Sequence, residues 1–389
     1  MAATRRRRKR AAKALPNEYP KSAAPLPALL AAALALPGVA PSSAHAESTP
    51  DQGVLSAKYL DYRDWQPGGS RMYVRSPSFY LMKPVTDAWL FEGTYTADSM
   101  SGASPLYHNT LSGASGGGVN DYREAGSAKV SRYFDRWIVG AGGAISSEHD
   151  YLSRAGSIDA RWSTVDRNTT LAFGFGGSAD HINTPDGAAD HEQKHTLEFL
   201  AGITQNLTAQ SFVQSNLTYS TGHGYYSDPY KLLDSRPDRR RILAWLTQYQ
   251  RYFPGSDAVM NLSYRYLHDS FGSVGNEVYA SWRQALPAGF ALTPSLRYNT
   301  QGAADFYHDP PFPTGFRFDE PYSADTRLAS WGAFTPGFRI DKLFPNGISL
   351  DFTVEIYRQK QAWRLGSGGS PGIDPFSARW FMFGISLPI

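Results

Sequence analysis

Apolar and polar side chains alternate along much of the chain, most clearly in its second half. Between positions 348 and 356 the even positions are all apolar, and the odd positions are Ser, Asp, Thr and Glu. The same alternation recurs over 196–204, 260–266, 277–283 and 290–299. A period of two is typical of a β-strand that has one apolar face and one polar face.

The length of these segments separates two kinds of β-protein. Strands of soluble sandwiches usually contain about five to six residues, whereas a tilted membrane-spanning strand needs about 9–11 residues. The alternating segments run roughly 12 to 18 residues, which favours membrane-spanning strands. A soluble β-protein stays the alternative, and no fixed short repeat supports a β-solenoid.

The connections between the segments alternate in length. We predict sixteen strands, near 53–65, 70–83, 86–99, 119–134, 136–149, 151–165, 168–181, 192–205, 207–221, 239–252, 257–269, 273–285, 288–301, 324–342, 346–361 and 375–389. Short connections are expected at 83–85, 135, 166–167, 206, 253–255, 287 and 344–346. Longer ones fall between them, notably at 100–118, 182–191, 222–238, 302–323 and 362–374.

Short periplasmic turns and long extracellular loops are typical of outer-membrane barrels. Only a closed sheet pairs every strand backbone group inside hydrocarbon. We therefore predict an all-β fold, a transmembrane antiparallel up-and-down β-barrel of about 16 strands over residues 47–389, with both ends in the periplasm. The predicted partners are outer-membrane lipid and the outer-membrane assembly machinery. The alternating C-terminal strand resembles the signal which that machinery reads, although it ends in Pro388 and Ile389.

The first 46 residues have the order of a secretory signal peptide. A basic run at 5–10 precedes an apolar stretch at 26–36, and the small-residue pattern Ala44-His45-Ala46 follows. We predict that residues 1–46 are a signal peptide, cleaved near Ala46. The alternative is that the basic run binds nucleic acid.

The net charge changes once the leader is set aside. Residues 1–46 contain eight Lys and Arg and one acidic residue. Residues 47–389 therefore keep 30 of the 38 Lys and Arg and 34 of the 35 Asp and Glu, which gives a net charge of −4. The basic character therefore belongs to the leader, and no nucleic-acid partner is expected.

The chain contains no cysteine. This excludes disulfides, thiolate metal sites, covalent haem attachment and cysteine nucleophiles. We predict no cofactor.

Several blocks of residues resemble those of a known family, domain-of-unknown-function family 3570. The blocks are 98–105 (Asp-Ser-Met-Ser-Gly-Ala-Ser-Pro), 121–124 (Asp-Tyr-Arg-Glu), 227–232 (Ser-Asp-Pro-Tyr-Lys-Leu), 236–238 (Arg-Pro-Asp), 264–266 (Tyr-Arg-Tyr), 297–298 (Arg-Tyr) and 304–307 (Ala-Asp-Phe-Tyr). Together they span most of the chain after the leader. The resemblance implies an exported outer-membrane barrel of Gram-negative bacteria, and it implies no known activity or catalytic residue.

Charged residues fall on the polar face of the predicted strands. These lumen-facing candidates are Glu198, Arg265, Glu277, Arg283, Arg297, Arg339, Asp351 and Glu355. In a barrel that crosses the bilayer once per strand, this face lines the lumen, where charged rings tune the selectivity of water-filled pores. The alternative is that paired Arg and Glu side chains rigidify a filled barrel.

Two further groups of residues could carry chemistry. The segment containing Ser101, Gly102, Ser104 and Pro105 lacks the patterns of a nucleophile elbow and of a phosphate-binding loop, and we expect a flexible loop or one that folds into the barrel. The best metal candidates are His181, His191 and His195, but we interpret them as surface histidines of a polar loop and predict no metal site.

These observations lead to three hypotheses about function. The first is an outer-membrane pore for small polar solutes. The second is a structural or assembly barrel that anchors or sheathes another exported component, such as a redox protein. The third is an outer-membrane hydrolase, which would draw on Ser104 and His191 or on His268, Ser270 and Asn276. We predict that the protein is not an enzyme, and the sequence does not indicate an oligomeric state.

Overall fold

The sixteen long strands close into one antiparallel barrel in the computed structural model, which describes residues 48–102, 119–184, 187–231, 234–309, 312, 316–317, 319–366 and 368–389. Each strand pairs with its neighbours in the sheet, and the first pairs with the last. The predicted fold class is therefore confirmed. Within the described residues, no helix has both the length and the apolar character needed to cross a bilayer.

The strands of the barrel are β1 (Val54–Gln66), β2 (Gly69–Thr86), β3 (Trp89–Gly102), β4 (Val119–Tyr133), β5 (Trp137–Ser147), β6 (Tyr151–Ser163), β7 (Thr169–Ile182), β8 (Glu192–Thr208), β9 (Ser211–Gly224), β11 (Arg239–Phe253), β12 (Ala258–Asp269), β13 (Val274–Leu286), β14 (Phe290–Gln301), β16 (Trp331–Leu343), β17 (Ser349–Lys360) and β18 (Phe376–Pro388). Two short strands, β10 (Asp234–Ser235) and β15 (Tyr322–Ser323), pair with each other in the loops. Short 3-10 turns occupy Pro287–Gly289, Thr326–Leu328 and Gln361–Trp363.

Backbone hydrogen bonds between the two ends of the sheet close the barrel. β1 pairs with β18 from Val54 opposite Pro388 to Trp65 opposite Ser377. Beyond this ladder the N–H of Gly53 donates to the carbonyl of Ile389 at 2.9 Å, and the N–H of Ile389 donates to Gly53 at 3.0 Å. A closed sheet leaves no open edge of unpaired backbone groups.

Three predicted boundaries were wrong. The turn expected at 83–85 lies inside β2, because Pro84 sits next to a bulge where its missing N–H is tolerated, and the chain turns at 87–88 instead. The turn expected at Asn206 lies at 209–210, after a similar register shift. The strand expected from residue 324 begins at Trp331, because the residues before it belong to a packed loop.

The outward face of the barrel is an apolar belt. Large apolar side chains on this face are exposed, among them Phe173 at 50%, Leu296 at 49% and Phe383 at 49%. Exposed apolar surface of this extent is unusual for a soluble protein and fits contact with lipid. The opposite face of the strands carries small and polar side chains such as Ser220 and Thr353, which are buried.

A small hydrophobic core lies in the loops at one end of the barrel. Seven buried residues form it: Phe271, Ala304, Phe306, Tyr307, Leu328, Ala329 and Ile373. They come from the connections β12–β13, β14–β16 and β17–β18. Connections at the other end are turns of about two to five residues. The two ends of the barrel are therefore unlike, and residues of the β12–β13, β14–β16 and β17–β18 connections pack together at one of them.

Candidate functional site

All eight charged residues predicted to face the lumen lie on the face of the sheet opposite the apolar belt. Glu277 stands directly opposite Arg265 in the register of β12 and β13. Its carboxylate lies 3.7 Å from the Arg265 guanidinium and 3.9 Å from that of Arg297 on β14. One carboxylate therefore bridges two arginines across three adjacent strands.

A second charged group lies on β16 and β17. The guanidinium of Arg339 is 2.6 Å from Asp341 and 3.7 Å from Asp351. Asp341 was missed in the sequence, although its odd position on β16 places it on the same face as Arg339. Glu355 lies on this face too. A Cβ at Gly337 would lie 2.6 Å from the hydroxyl of Ser295 and 3.0 Å from the Glu355 side chain. The glycine therefore leaves room for both side chains on the inner face.

The remaining two candidates stand apart from these groups. Glu198 on β8 is only 7% exposed, and its Oε1 has no hydrogen-bond partner among the described residues. Arg283 lies near the short-turn end of β13 and is exposed. The eight residues therefore do not form a single ring.

Sequence reasoning missed an ion pair on the opposite wall. Lys129 on β4 lies 2.5 Å from Asp159 on β6, with β5 between them. A Cβ at Gly140 on β5 would lie 2.6 Å from the Lys129 side chain and 2.7 Å from the Asp159 carboxylate. The lack of a side chain at Gly140 lets the pair form across an intervening strand. Alternation of charged residues in β4 and β6 is the signal that could have found it.

The family-like blocks of the sequence meet in space. Asp98, in the block at 98–105, accepts two hydrogen bonds from Arg123, in the block at 121–124, and the two residues are opposite in the β3–β4 register. Arg265 and Arg297, from two other blocks, share Glu277. These blocks therefore supply ion pairs on the inner face.

The loops of the packed end are joined by buried charges. Asp325 is 1% exposed and lies among three cations from two loops. Arg327 donates to it at 2.7 Å, Arg236 donates at 2.8 Å, and the ammonium of Lys231 lies 3.4 Å away. Burial would raise the pKa of Asp325, but the three cations together hold that pKa well below its ordinary value. Asp325 is therefore an ionised carboxylate enclosed by positive charge.

A second buried carboxylate, that of Asp234, lies between the same two loops. We call the six charged residues that join these loops the loop latch: Asp228, Lys231, Asp234, Arg236, Asp325 and Arg327. Asp234 accepts from Arg236 at 2.9 Å and from the backbone N–H of Asp228 at 2.6 Å. It also accepts from the hydroxyl of Ser323, its partner in the β10–β15 sheet. Burial raises the pKa of Asp234, and Arg236 offsets only part of that increase. The latch joins residues 228–236 to residues 323–327.

The latched loops also reach across the end of the barrel. The hydroxyl of Tyr230 donates to the carboxylate of Asp150, in the turn between β5 and β6. Arg327 reaches in the other direction to Asp228 at 2.5 Å. The contacts that link Asp150, Tyr230, Asp228 and Arg327 thus form a bridge of side chains. This bridge spans from one wall of the barrel toward the opposite wall.

A cavity of about 310 Å³ remains on the far side of Arg327. Its lining comes from the inner faces of β1, β2, β16, β17 and β18 and from the loop turn: Asp64, Gln66, Arg71, Thr326, Arg327, Trp331, Gln359, Asp374 and Phe376. The Arg71 guanidinium lies 5.1 Å from the centre of the Phe376 ring and 3.7 Å from Asp64. Aromatic rings beside amides and charges of both signs suit polar organic molecules.

A smaller cavity of about 130 Å³ lies under residues 225–229. Tyr151, Lys194, Tyr226 and Arg240 are among the side chains that line it. Lys194 pairs with Asp180 at 3.2 Å, and Arg240 pairs with Asp269, so both cations are already neutralised. The two cavities lie on opposite sides of the bridge of side chains from Asp150 to Arg327.

The segment predicted to fold inward falls mostly outside the described residues. Ser101 and Gly102 end β3, and Ser104 and Pro105 lie beyond the described part. The inward loop therefore stays a prediction.

The three histidines considered as metal candidates do not converge. His181 stands opposite Gln193, and His195 stands opposite His223, both on the outward face. His191 is exposed and lies 2.8 Å from Asp190. In the described part of the chain, no group of three or more His, Asp and Glu residues could hold a metal ion.

The residues of the hydrolase hypothesis are also separate. His268 is exposed on β12, the hydroxyl of Ser270 accepts from the backbone N–H of Arg241, and Asn276 accepts from the hydroxyl of Tyr264. None of the hydrogen bonds found among the described residues joins these three side chains to each other. Ser104 lies outside the described residues.

Several solved structures of bacterial proteins align with this chain at low sequence identity. A bacterial polysaccharide outer membrane secretin aligns with a TM-score of 0.51 at 8% identity, over 87% of this chain and 99% of that chain. The siderophore receptor PirA from Pseudomonas aeruginosa aligns at 0.45 and 11% identity, over 80% of this chain, which spans 57% of that receptor's length. OccK2 from the same organism aligns at 0.42 and 10% identity, over 88% and 99%. At these identities the likeness concerns the fold alone.

No curated protein sequence matches the chain. A family does match, over residues 26–190 and 186–380, and its description is protein of unknown function (DUF3570). These two segments cover most of the chain, including the blocks whose residues pair inside the barrel and in the loop latch. The chain belongs to the DUF3570 family.

Proposed function

We propose that this protein is an outer-membrane pore that passes small polar solutes. The observation that carries the proposal is the inner face of a sixteen-stranded closed barrel. This face holds both positively and negatively charged side chains, which form ion pairs. Barrels of 16–18 strands leave an aqueous channel unless loops plug it. A face lined with charges of both signs suits polar solutes of either charge or none.

Location and processing follow from the same proposal. The exposed apolar belt supports insertion in a bilayer, and the closed antiparallel barrel supports the outer membrane, where the assembly machinery would place it. Residues 1–46 act as a signal peptide, removed near Ala46. The long loops then face the cell exterior, and both ends of the barrel domain face the periplasm.

The loop-covered end is where solutes would be selected. The loop latch narrows the mouth, and the cavity of about 310 Å³ lies beside it on the inner face. Small-molecule pockets commonly have volumes of about 300–1,000 Å³. A solute entering the barrel would contact Trp331, Phe376 and Arg71 before it meets the charges deeper in the lumen. No catalytic step is part of this proposal.

Conductance of the refolded protein in planar bilayers tests the proposal. We expect stepwise openings, with an ion selectivity that shifts toward anions in Glu277→Gln, because that change leaves Arg265 and Arg297 without their shared carboxylate. Glu124→Gln is the matched control, since Glu124 is exposed on the outward face. A barrel that is folded but never conducts would contradict the proposal.

A structural or assembly barrel is the second candidate. The loop latch favours it, because buried ion pairs hold the loops across one end of the barrel. This function predicts a non-conducting barrel and a protein partner that co-purifies from outer membranes. Purification without a stable partner, together with stepwise conductance, would exclude it.

A further inference from the structure

A patch of positive charge lies on the outward face of the barrel, at the end covered by the long loops. Five exposed cations on β1, β2, β17 and β18 form it: Arg63, Arg75, Arg358, Lys360 and Arg379. Asp61, 3.7 Å from Arg63, is the acid beside them and offsets only part of their charge. We call these five cations the basic patch.

Closure of the barrel places two arginines of the basic patch at opposite positions on neighbouring strands. Arg63 and Arg379 stand directly opposite each other in the β1–β18 register. Opposite residues in an antiparallel pair have Cβ atoms about 4.5–5.5 Å apart, and like charges there are destabilising. Arg358 lies on the next strand, diagonal to Arg379. An anion between these guanidinium groups would turn the repulsion into attraction.

The height of the basic patch on the barrel indicates what that anion is. Below the patch on the same strands the outward face is apolar, with Tyr59 at 42%, Phe352 at 42% and Phe383 at 49% exposure. With this belt in hydrocarbon, the patch lies at the level of the lipid headgroups. Guanidinium groups bind phosphate through paired N–H donors, and several cations together favour more than one phosphate.

We propose that the basic patch binds the phosphates of a lipid that carries more than one phosphate group, in the leaflet on the loop-covered side. This inference rests on the outer-membrane location in the proposed function, but it does not depend on conduction. Binding places the phosphates between Arg63, Arg379 and Arg358, where they offset the cross-strand repulsion. Aromatic rings already contact three of these cations: Arg63 and Arg75 lie 4.6 and 4.7 Å from the centre of the Tyr73 ring, and Arg379 lies 5.6 Å from that of Phe381.

Lipid binding by the folded full barrel in detergent tests the inference. The probes are bisphosphorylated lipid A, its monophosphorylated form and phosphatidylglycerol, measured by native mass spectrometry and by thermal unfolding. We expect the bisphosphorylated lipid to bind best. Replacing both arginines (Arg63→Gln with Arg379→Gln) should weaken that binding by about tenfold or more.

The matched control is Arg239→Gln with Arg241→Gln. These arginines are exposed on the outward face of β11, at the same end of the barrel but on another part of the wall. The control variant should bind the bisphosphorylated lipid as the unchanged protein does. Equal loss in the control, or equal binding of phosphatidylglycerol, would show attraction to any anionic surface and would overturn the inference.

The single variant Arg379→Gln guards against a failure to fold. Without lipid its thermal midpoint should equal or exceed that of the unchanged protein, because one of the two opposed charges is gone. With bisphosphorylated lipid its midpoint should rise less than that of the unchanged protein. An equal rise in both would overturn the inference. Fractionation of cells tests the outer-membrane location separately, and conductance tests the pore.

Discussion

Single buried charges determine the shape of the loop-covered end. Asp325 is the centre of the loop latch, because its one carboxylate contacts Lys231, Arg236 and Arg327, which come from two different loops. A buried ion pair adds little net stability over a well-packed apolar contact, but removal of one partner leaves an uncompensated charge. The loop latch therefore determines the conformation of the loops, and it contributes little to the stability of the barrel wall.

Replacement of Asp325 should release the loops. In Asp325→Ala three cations lose their shared carboxylate, and breaking a buried pair costs about 3–5 kcal/mol. We expect the loop core to open while the barrel stays folded, which hydroxyl-radical footprinting of Phe271 and Phe306 would detect as increased labelling. Asp319→Ala is the control, because Asp319 pairs with Arg317 in the same loop but both are well exposed. Unchanged labelling in Asp325→Ala would contradict the role of the latch.

The two buried carboxylates predict how the loops respond to acid. The pKa of Asp325 is lowered by folding, so its contribution to stability is lost only when the pH falls through that lowered value. The pKa of Asp234 is raised, so its contribution is greatest at low pH and is lost as the pH rises through the raised value. Neither group destabilises the loops on mild acidification. Footprinting of Phe271 and Phe306 should therefore give the same or lower labelling as the pH is lowered from about 7 to about 4. Loops that open over this range would contradict these assignments.

Each strand places adjacent residues in two different environments. On β8, Phe199 is 46% exposed on the outward face, with its ring 5.1 Å from that of Phe175. The next residue, Leu200, lies on the inner face, opposite Gly174 on β7. The period of two residues produces this contrast whatever the function of the barrel.

A charge should be tolerated on one of these faces and not on the other. Phe199→Arg near the middle of the belt should destabilise the barrel by about 2–4 kcal/mol. Leu200→Arg is the matched change one residue away and should cost less, since it projects into the lumen. Equilibrium unfolding in guanidinium from lipid vesicles measures both. Equal losses in the two variants would show that the belt does not contact hydrocarbon.

At the scale of the whole molecule, one seam closes the sheet. β18 pairs with both β17 and β1, so it joins the last hairpin to the first. Without it, two strand edges would expose unpaired backbone groups to lipid, which costs several kcal/mol for each group.

Deletion of residues 376–389 should therefore abolish the folded barrel. Gel electrophoresis without heating, which separates folded barrels from unfolded chains, should show no folded band for the deletion. Ile389→Ala should keep that band, since the hydrogen bonds between residues 53 and 389 involve only backbone atoms. A folded deletion variant would mean that closure does not need β18.

The strands and their faces could be predicted because both are local properties. Alternation at positions 348–356 or 196–204 depends only on neighbours in the chain, and the side-chain period of a strand is two. The same rule placed the eight charged residues on one face. It could not predict which of them pair, since Glu277 meets Arg297 only through the register of β13 and β14.

The loop latch could not be predicted, because its partners are far apart along the chain. Arg236 and Asp325 are separated by 89 residues, and Arg327 and Asp228 by 99. Nothing in the local pattern around either residue indicates its partner. The same holds for the basic patch, where Arg63 and Arg379 meet only because the first strand pairs with the last.

By itself the sequence determined the strand faces, the number of strands in the barrel and the absence of cysteine chemistry, because each depends on composition or on a period of two residues. The tertiary structure alone decided where the loops pack, which charges pair and what lies at the seam. Those features require contacts between distant residues, and closure of the sheet and burial of charge select them.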